Sequence, residues 1–213
     1  QLFSAKEDLK KIIYIGVLSI FVIFFWVGFE QAGGSLTLFA NNSVDRNFLG
    51  FIIPASFFQS INPLIIILIG PMIASFWLRV DRSKNNINTP QKMGLGLLLL
   101  AGGFFLITLV NNSSGSSISL WWLVGVYFLH TIGELCLSPI GLSMVSKVSP
   151  KKIASLMMGF WFLSSAVANF MAGKLPGILE TNNFDLFTFL TVTSTVAGLL
   201  LLLISKFLEK LVK

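Results

Sequence analysis

Six long apolar runs, separated by short polar gaps, limit what this chain can fold into. The runs cover residues 12–40, 51–78, 93–110, 120–147, 153–179 and 184–207. A hydrocarbon layer about 30 Å thick needs roughly 20 apolar residues in helical form. Backbone groups in lipid have no water partner, so such runs form helices or a closed barrel. Unbroken apolarity favours helices, because barrel strands alternate in polarity over about ten residues. The runs therefore predict an all-α membrane protein with six transmembrane helices.

The composition agrees with a membrane protein and argues against several other classes. Only 11% of the residues are charged, against about 25% in soluble domains. The net charge of +6 does not indicate a nucleic-acid partner, because the basic residues lie between the apolar runs. The single cysteine, Cys136, cannot form an internal disulfide and is expected to be a buried hydrophobe. No metal-ligand cluster or phosphate-binding glycine loop is present in the sequence, so we expect neither an enzyme nor a cofactor.

The basic residues are distributed unequally between the two sides of the predicted bundle. Thirteen of the fifteen Lys and Arg residues precede the first run, follow the sixth, or lie in the second and fourth gaps. Only Arg46 and Lys174 lie on the other side. The positive-inside rule then predicts that both ends of this segment are cytosolic. Because the chain begins at Gln1 and has no signal peptide, we expect it to be part of a longer protein.

Two of the nine acidic residues, Glu30 and Glu134, lie inside apolar runs rather than in gaps or at helix ends. Glu134 is about 14 residues from either end of its run, or roughly 20 Å along a helix, which puts it near the midplane. An ionisable group there costs at least about 2.5 kcal/mol and is usually functional. It can bind an ammonium group or carry a proton. The alternative is a protonated carboxyl bonded inside the bundle, or a pair with His130 one turn away.

His130 and Glu30 have functional and structural interpretations that the residues alone do not separate. His130 shares a helix face with Glu134 and could form a proton relay, although a packed histidine is the more frequent arrangement. Glu30 lies toward the outer end of the first run, ahead of Gly33 and Gly34. These small residues would permit close helix approach or a gate. The alternative is an interfacial carboxylate that reaches water.

Other polar residues inside the runs are weaker candidates when each is taken alone. Asn62 can bond a substrate amide or a neighbouring helix. Pro63 follows it in mid-run and predicts a kink. Trp161 and Ser165 are four residues apart and share a helix face, and Ser138 lies one turn beyond the midplane carboxylate. Taken singly, each is more often a packing residue than a binding residue.

Four segments, read in chain order, resemble a known family. They are FW through EQ at 25–31, FFQSINP at 57–63, GELCLSPIGLS at 133–143, and MMGFWFL at 157–163, which continues as AN at 168–169 and AG at 172–173. Together they resemble helices seven, eight, ten and eleven of the proton-dependent oligopeptide transporter family. The resemblance implies a twelve-helix major facilitator fold, of which this chain is the C-terminal six-helix half. The N-terminal half would then be absent, and a central cavity would lie between the halves.

The resemblance also implies roles for individual residues. Glu134 matches the acid that receives the ammonium of a peptide, and Asn62 matches a residue that bonds the peptide backbone. Trp161 and Ser165 match positions that line the side-chain pocket. Glu30 matches a carboxylate that bridges to the other half in gating or coupling. The substrate-binding set implied in this way comprises Asn62, Glu134, Ser138, Trp161 and Ser165.

The function implied by the resemblance is proton-coupled symport of di- and tripeptides by alternating access, driven by the proton gradient without a cofactor. Its partners would be peptides, protons, the lipid bilayer and the N-terminal half, and its location the bacterial inner membrane. The coupling motif on the first helix of the family would lie in the absent half. The short outer loop at 111–119 resembles that of bacterial members. Alternatives are a related transporter of another solute, such as nitrate, or a bundle that acts as a channel or structural protein.

Overall fold

Six helices within the described part of the chain are long and apolar enough to cross a membrane. The structure is a computed structural model that describes residues 2–83, 87–113 and 117–212. The basic residues Lys84 and Lys213 and the centre of the predicted outer loop lie outside the described residues. The candidate spans are Lys6–Gly33, Ala55–Arg82, Thr89–Asn111, Leu120–Val148, Lys151–Thr181 and Leu186–Glu209. The prediction of an all-α protein with six membrane-spanning helices is confirmed.

The described regular structure comprises seven α-helices, three 3₁₀ helices and four very short strands. The helices are α1 (Leu2–Phe29), α2 (Ser35–Ser43), α3 (Ile61–Arg82), α4 (Thr89–Ser113), α5 (Leu120–Val148), α6 (Ala154–Thr181) and α7 (Leu186–Glu209). The strands are β1 (Val44–Asp45), β2 (Asn47–Phe48), β3 (Phe51–Ile52) and β4 (Ile118–Ser119). Strand β1 pairs in parallel with β4, and β2 pairs with β3 in an antiparallel hairpin.

The first apolar run is not one continuous helix, which corrects the prediction of a helix over residues 12–40. Helix α1 ends at Phe29, a 3₁₀ turn covers Glu30–Gly33, and Gly34 leaves helical geometry before α2 begins at Ser35. The buried Gln31 side chain stabilises this break by donating to the carbonyls of Val27 and Ala172, at 3.1 Å each. Glu30 therefore lies in a turn at the end of a broken helix.

The second run also begins differently from its prediction over residues 51–78. Residues 51–52 belong to the hairpin, Ala55–Ser60 form a 3₁₀ helix, and α3 begins at Ile61. Pro63 is thus in the first turn of α3, where a missing backbone N–H breaks no helical hydrogen bond. The placement of Pro63 in the middle of its helix is therefore wrong for α3, and a bend of the chain at Pro63 stays a prediction. The proline in the interior of α3 is Pro71.

Helix α4 packs closely against both α5 and α7. A Cβ atom added to Gly96 would lie 2.7 Å from the carbonyl oxygen of Gly133, and one added to Gly133 would meet the carbonyl of Gly96 at the same distance. Gly94 and Gly198 bring α4 and α7 together in a similar way. Small residues that let backbones approach are the usual basis of helix packing in membranes.

Helix α3 lies at the edge of the bundle and is mostly uncovered within this chain. Its main helical neighbour is α5. At the end of α3, Asp81 forms a hydrogen-bonded ion pair with the buried Lys92 of α4, and the Lys92 ammonium lies 5.1 Å from the Trp77 ring centroid. The arrangement leaves one face of the α3–α5 pair open, and Asn62 and Glu134 lie partly buried along it.

Candidate substrate site

A direct hydrogen bond joins the two most informative candidates, Asn62 and Glu134. The Nδ2 atom of Asn62 donates to Oε2 of Glu134 at 2.8 Å. Asn62 lies in the first turn of α3, and Glu134 lies 14 residues from each end of α5, at its centre. Both side chains are only partly buried. The contact of α3 with α5 thus places an amide against a carboxylate near the middle of the membrane-spanning layer.

Thr131, which the sequence argument did not single out, completes this pair. Its hydroxyl donates to the carbonyl of Tyr127 at 2.7 Å and accepts a hydrogen bond from Nδ2 of Asn62 at 3.1 Å. The side chain is fully buried. Thr131 precedes Glu134 by three residues and shares its helix face. That spacing is the sequence signal that could have identified it.

A cavity of about 220 Å³ adjoins the pair and brings Glu30 into the same region. It is lined by residues of the broken helix α1, the approach to α3, and α5, namely Phe29, Glu30, Ala32, Gly33, Gln59, Asn62, Tyr127, His130 and Thr131. Glu30 and Asn62 line the same cavity, and Asn62 bonds Glu134. The structure therefore groups Asn62, Glu134 and Glu30, which lie far apart in the sequence.

The acidic groups of this region have no cationic partner among the described residues. No ion pair of the described part of the chain includes Glu30 or Glu134, and the Oε1 atom of Glu134 has no hydrogen-bond partner there. Carboxylates in a membrane interior normally pair with a cation or face a water-filled cavity. The site can therefore accept a proton, an ammonium group or a cationic side chain from outside the segment.

The other three predicted residues lie on α5, in the case of Ser138, and on α6, in the case of Trp161 and Ser165. Trp161 is only 4% exposed, and its ring packs on Gly141 of α5, where any Cβ atom would overlap it. Gly141 is seven residues after Glu134, or about 10 Å along the helix. Ser138 and Ser165 are partly buried. Among the described residues, no hydrogen bond joins any of these three side chains to Asn62 or Glu134, so their place in a binding site stays a prediction.

His130 is a packed residue in this structure. One of its ring nitrogens is 3.1 Å from the carbonyl oxygen of Leu100, and its ring lies 4.6 Å from that of Phe104. The residue is 2% exposed, and Gly103 of α4 leaves the space that the ring occupies. This arrangement favours the structural interpretation of His130 over a proton relay through Glu134.

Comparison with known proteins identifies the family. The profile described as POT family matches residues 3–192 of the chain. The chain belongs to the POT family. Its similarity to a "Peptide transporter YePEPT" of Yersinia enterocolitica is 35% identity over 197 residues, covering 91% of this chain and 39% of that protein. A "Dipeptide and tripeptide permease A" of Proteus mirabilis is 34% identical over 173 residues, covering 80% and 35%.

Solved structures of the POT family have the same fold. A crystal structure of a mutant peptide transporter POT in complex with sulfate matches with a TM-score of 0.87 and 32% identity, covering 97% of this chain and 42% of that one. The chain thus spans about two fifths of the length of the POT relatives that it matches. The family resemblance and the major facilitator architecture are both confirmed.

Proposed function

We propose that this chain is the C-terminal six-helix half of a proton-coupled symporter that imports di- and tripeptides by alternating access. The single observation that carries the proposal is the Asn62–Glu134 pair, in which the carboxylate lies at the centre of α5 and the amide lines a cavity. An acid and an amide held side by side suit a zwitterionic ligand with a peptide bond. The printed names of the POT relatives, a peptide transporter and a di- and tripeptide permease, point to the same substrates.

The charges of the site support an ammonium-bearing substrate. Glu134 has one oxygen bonded to Asn62, while the other has no partner among the described residues. A primary ammonium would supply both a hydrogen-bond donor and the missing positive charge. A nitrate ion would instead approach two carboxylates of its own sign, so the arrangement disfavours an anion carrier.

The proposed proton coupling rests on Glu30 and Glu134, which have no cationic partner among the described residues. A carboxylate near the bilayer midplane is stabilised by protonation whenever no other cation is bound. We propose that Glu30, in the turn between α1 and α2, takes part in gating or coupling with the other half. The driving force is the proton gradient, and no cofactor is involved.

The proposed setting is the bacterial inner membrane, with both ends of this segment in the cytosol. The ends of α3 and α7 and the start of α4 lie on one side, joined by Lys92–Asp81 and by a hydrogen bond from Asn88 to Glu209 at 3.1 Å. Most of the basic residues belong to this side, which supports its assignment to the cytosol.

The test is uptake by the complete transporter that contains this segment, reconstituted into proteoliposomes. With an inward proton gradient, labelled dialanine should accumulate saturably, and collapse of the gradient should abolish accumulation. Excess unlabelled dipeptide should compete, whereas nitrate should not. Gradient-driven uptake of nitrate without uptake of dialanine would contradict the proposal, as would passive flux that never saturates.

A further inference from the structure

We propose that Thr131 is a positioning residue that orients the amide of Asn62, so that the Asn62 carbonyl oxygen faces the substrate and accepts the N–H of a peptide bond. The inference rests on the proposed function. The Thr131 side chain is fully buried, and three hydrogen-bonding groups divide their donors and acceptors around it. The relevant atoms are Oγ1 of Thr131, Nδ2 and Oδ1 of Asn62, and Oε2 of Glu134.

The first step concerns the single hydroxyl proton of Thr131. A threonine hydroxyl has one donor and two acceptor lone pairs. The proton is committed to the carbonyl of Tyr127 at 2.7 Å, an i to i−4 bond within α5. Toward any other neighbour, Oγ1 can therefore act only as an acceptor. The group of Asn62 that lies 3.1 Å from it must be the donor, which is the Nδ2 amide nitrogen.

The second step concerns the two protons of that amide nitrogen. One is directed to Thr131 and the other to Oε2 of Glu134, at 2.8 Å. The donors of Asn62 are thus both turned toward α5. The opposite end of the amide, Oδ1, has no hydrogen-bond partner among the described residues, while Asn62 lines the 220 Å³ cavity. Asn62 therefore presents an acceptor to the cavity.

The third step concerns what happens to Asn62 when Glu134 changes partner. A bound ammonium competes with Asn62 for the carboxylate of Glu134. The hydrogen bond to Glu134 alone would then orient the Asn62 amide only weakly. Thr131 is fully buried and keeps its acceptor in place whether Glu134 is charged, protonated or bound to substrate. Without Thr131, the amide could rotate and offer its nitrogen to the cavity instead.

The ligand group that fits an outward-facing carbonyl oxygen is a hydrogen-bond donor. In a dipeptide whose ammonium is near Glu134, the next donor along the chain is the N–H of the peptide bond. The geometry thus assigns the peptide N–H, rather than the peptide carbonyl, to Asn62. A substrate in which CH2 replaces this N–H keeps its shape and both charges but loses the bond.

The test uses the complete transporter with the variants Thr131→Val and Thr131→Ser, and two substrates, dialanine and its ketomethylene analogue. The wild type should transport dialanine with a lower KM than the analogue. Thr131→Val should raise the KM for dialanine about threefold to tenfold, as expected for one hydrogen bond, with little change in maximal rate. The KM for the analogue should not change, because the analogue never made the bond. Thr131→Ser, which retains the hydroxyl, should restore the wild-type values.

Several outcomes would overturn the inference. Equal KM values of wild-type protein for the two substrates would do so even if Thr131→Val failed to reach the membrane. Equal effects of Thr131→Val on both substrates would indicate a role in packing alone. If the wild type transported neither peptide nor analogue, the proposed function itself would be contradicted, which is a different result from transport that is insensitive to Thr131.

Discussion

Glu134 is held in the membrane interior by a neutral partner. Asn62 satisfies one of its oxygens, and no basic residue of the described chain compensates its charge. A lysine or arginine in place of Asn62 would stabilise the carboxylate but would also compete with an incoming ammonium. An amide orients the acid without neutralising it. Within the proposed function, such a pair suits reversible binding of a cationic group.

For this single residue, we predict that Glu134→Gln nearly abolishes dialanine uptake by the complete transporter while the protein still inserts into the membrane. The substitution preserves shape but removes the charge that an ammonium would meet, and loss of a buried charge partner costs about 2–5 kcal/mol. Initial rates in proteoliposomes measure the effect. Glu180→Gln, at the exposed end of α6, is the matched control and should transport like the wild type. Near-normal uptake by Glu134→Gln would remove Glu134 from the site.

At the scale of helices, the contact between α4 and α5 depends on the absence of side chains at Gly96 and Gly133. A methyl group at Gly96 would meet the carbonyl oxygen of Gly133 at 2.7 Å. Backbone of a neighbouring helix cannot move aside as a flexible side-chain tip can. The two helices would have to move apart. That movement would also disrupt the packing of Leu97 and Leu137 in the core.

We predict that Gly96→Ala destabilises the folded protein by about 1–3 kcal/mol, the usual range for overpacking. The midpoint of thermal unfolding in detergent should fall accordingly. The control is Gly102→Ala in the same helix, where the added Cβ atom would lie 3.8 Å from Leu129, an ordinary contact. That variant should keep the wild-type midpoint. Similar midpoints for both variants would show that the α4–α5 approach is not limiting.

Helix spans could be predicted from this sequence, but helix interruptions could not. Run length and apolarity set the six spans, because lipid admits few alternatives. The break at Glu30–Gly33 depends on the hydrogen bond of Gln31 to Ala172, 141 residues away, and apolar periodicity carries no trace of it. Apolarity alone places Pro63 in mid-helix, because most of the residues ahead of it, in strand β3 and in the 3₁₀ helix Ala55–Ser60, are apolar too.

In the candidate site, too, the residues could be predicted from the sequence but their contacts could not. Asn62 and Glu134 were each identified as polar residues in apolar runs, yet their bond depends on how α3 packs on α5. The sequence does not single out Thr131, because a threonine within a helix is common and usually bonds its own backbone. Only its second bond, to a residue of another helix, distinguishes it.

For the molecule as a whole, the distribution of basic residues predicts the orientation in the membrane. On a Cys136→Ala background, Asn182→Cys should react with an impermeant thiol reagent in intact cells. Ser83→Cys should react only after permeabilisation, since it follows α3 on the basic side. Both positions are exposed, so access to the reagent, rather than burial, decides the result. The reverse labelling pattern would overturn the proposed topology.

We also predict that residues 1–213 alone do not transport, although they form a six-helix bundle. The open face of α3 and α5 carries the acid and amide, and in isolation it meets lipid or water. Alternating access requires a second half to move against this one. Reconstitution of the segment alone, with an inward proton gradient and labelled dialanine, provides the test. Saturable accumulation would refute the two-half arrangement, whereas activity restored by co-expression of the other half would support it.

The bond between Asn62 and Glu134 also has a consequence for synthesis of the chain. The two residues are 72 positions apart, so at 5–20 residues per second the ribosome needs about 4–14 seconds to pass from one to the other. During that interval α3 must remain in the bilayer without its main neighbour. Its span has a mean hydropathy of 2.0, against 1.4 for the span of α5. The more apolar helix, α3, thus enters lipid first. Helix α5, which carries Glu134, is inserted after its partner α3 is already in the bilayer.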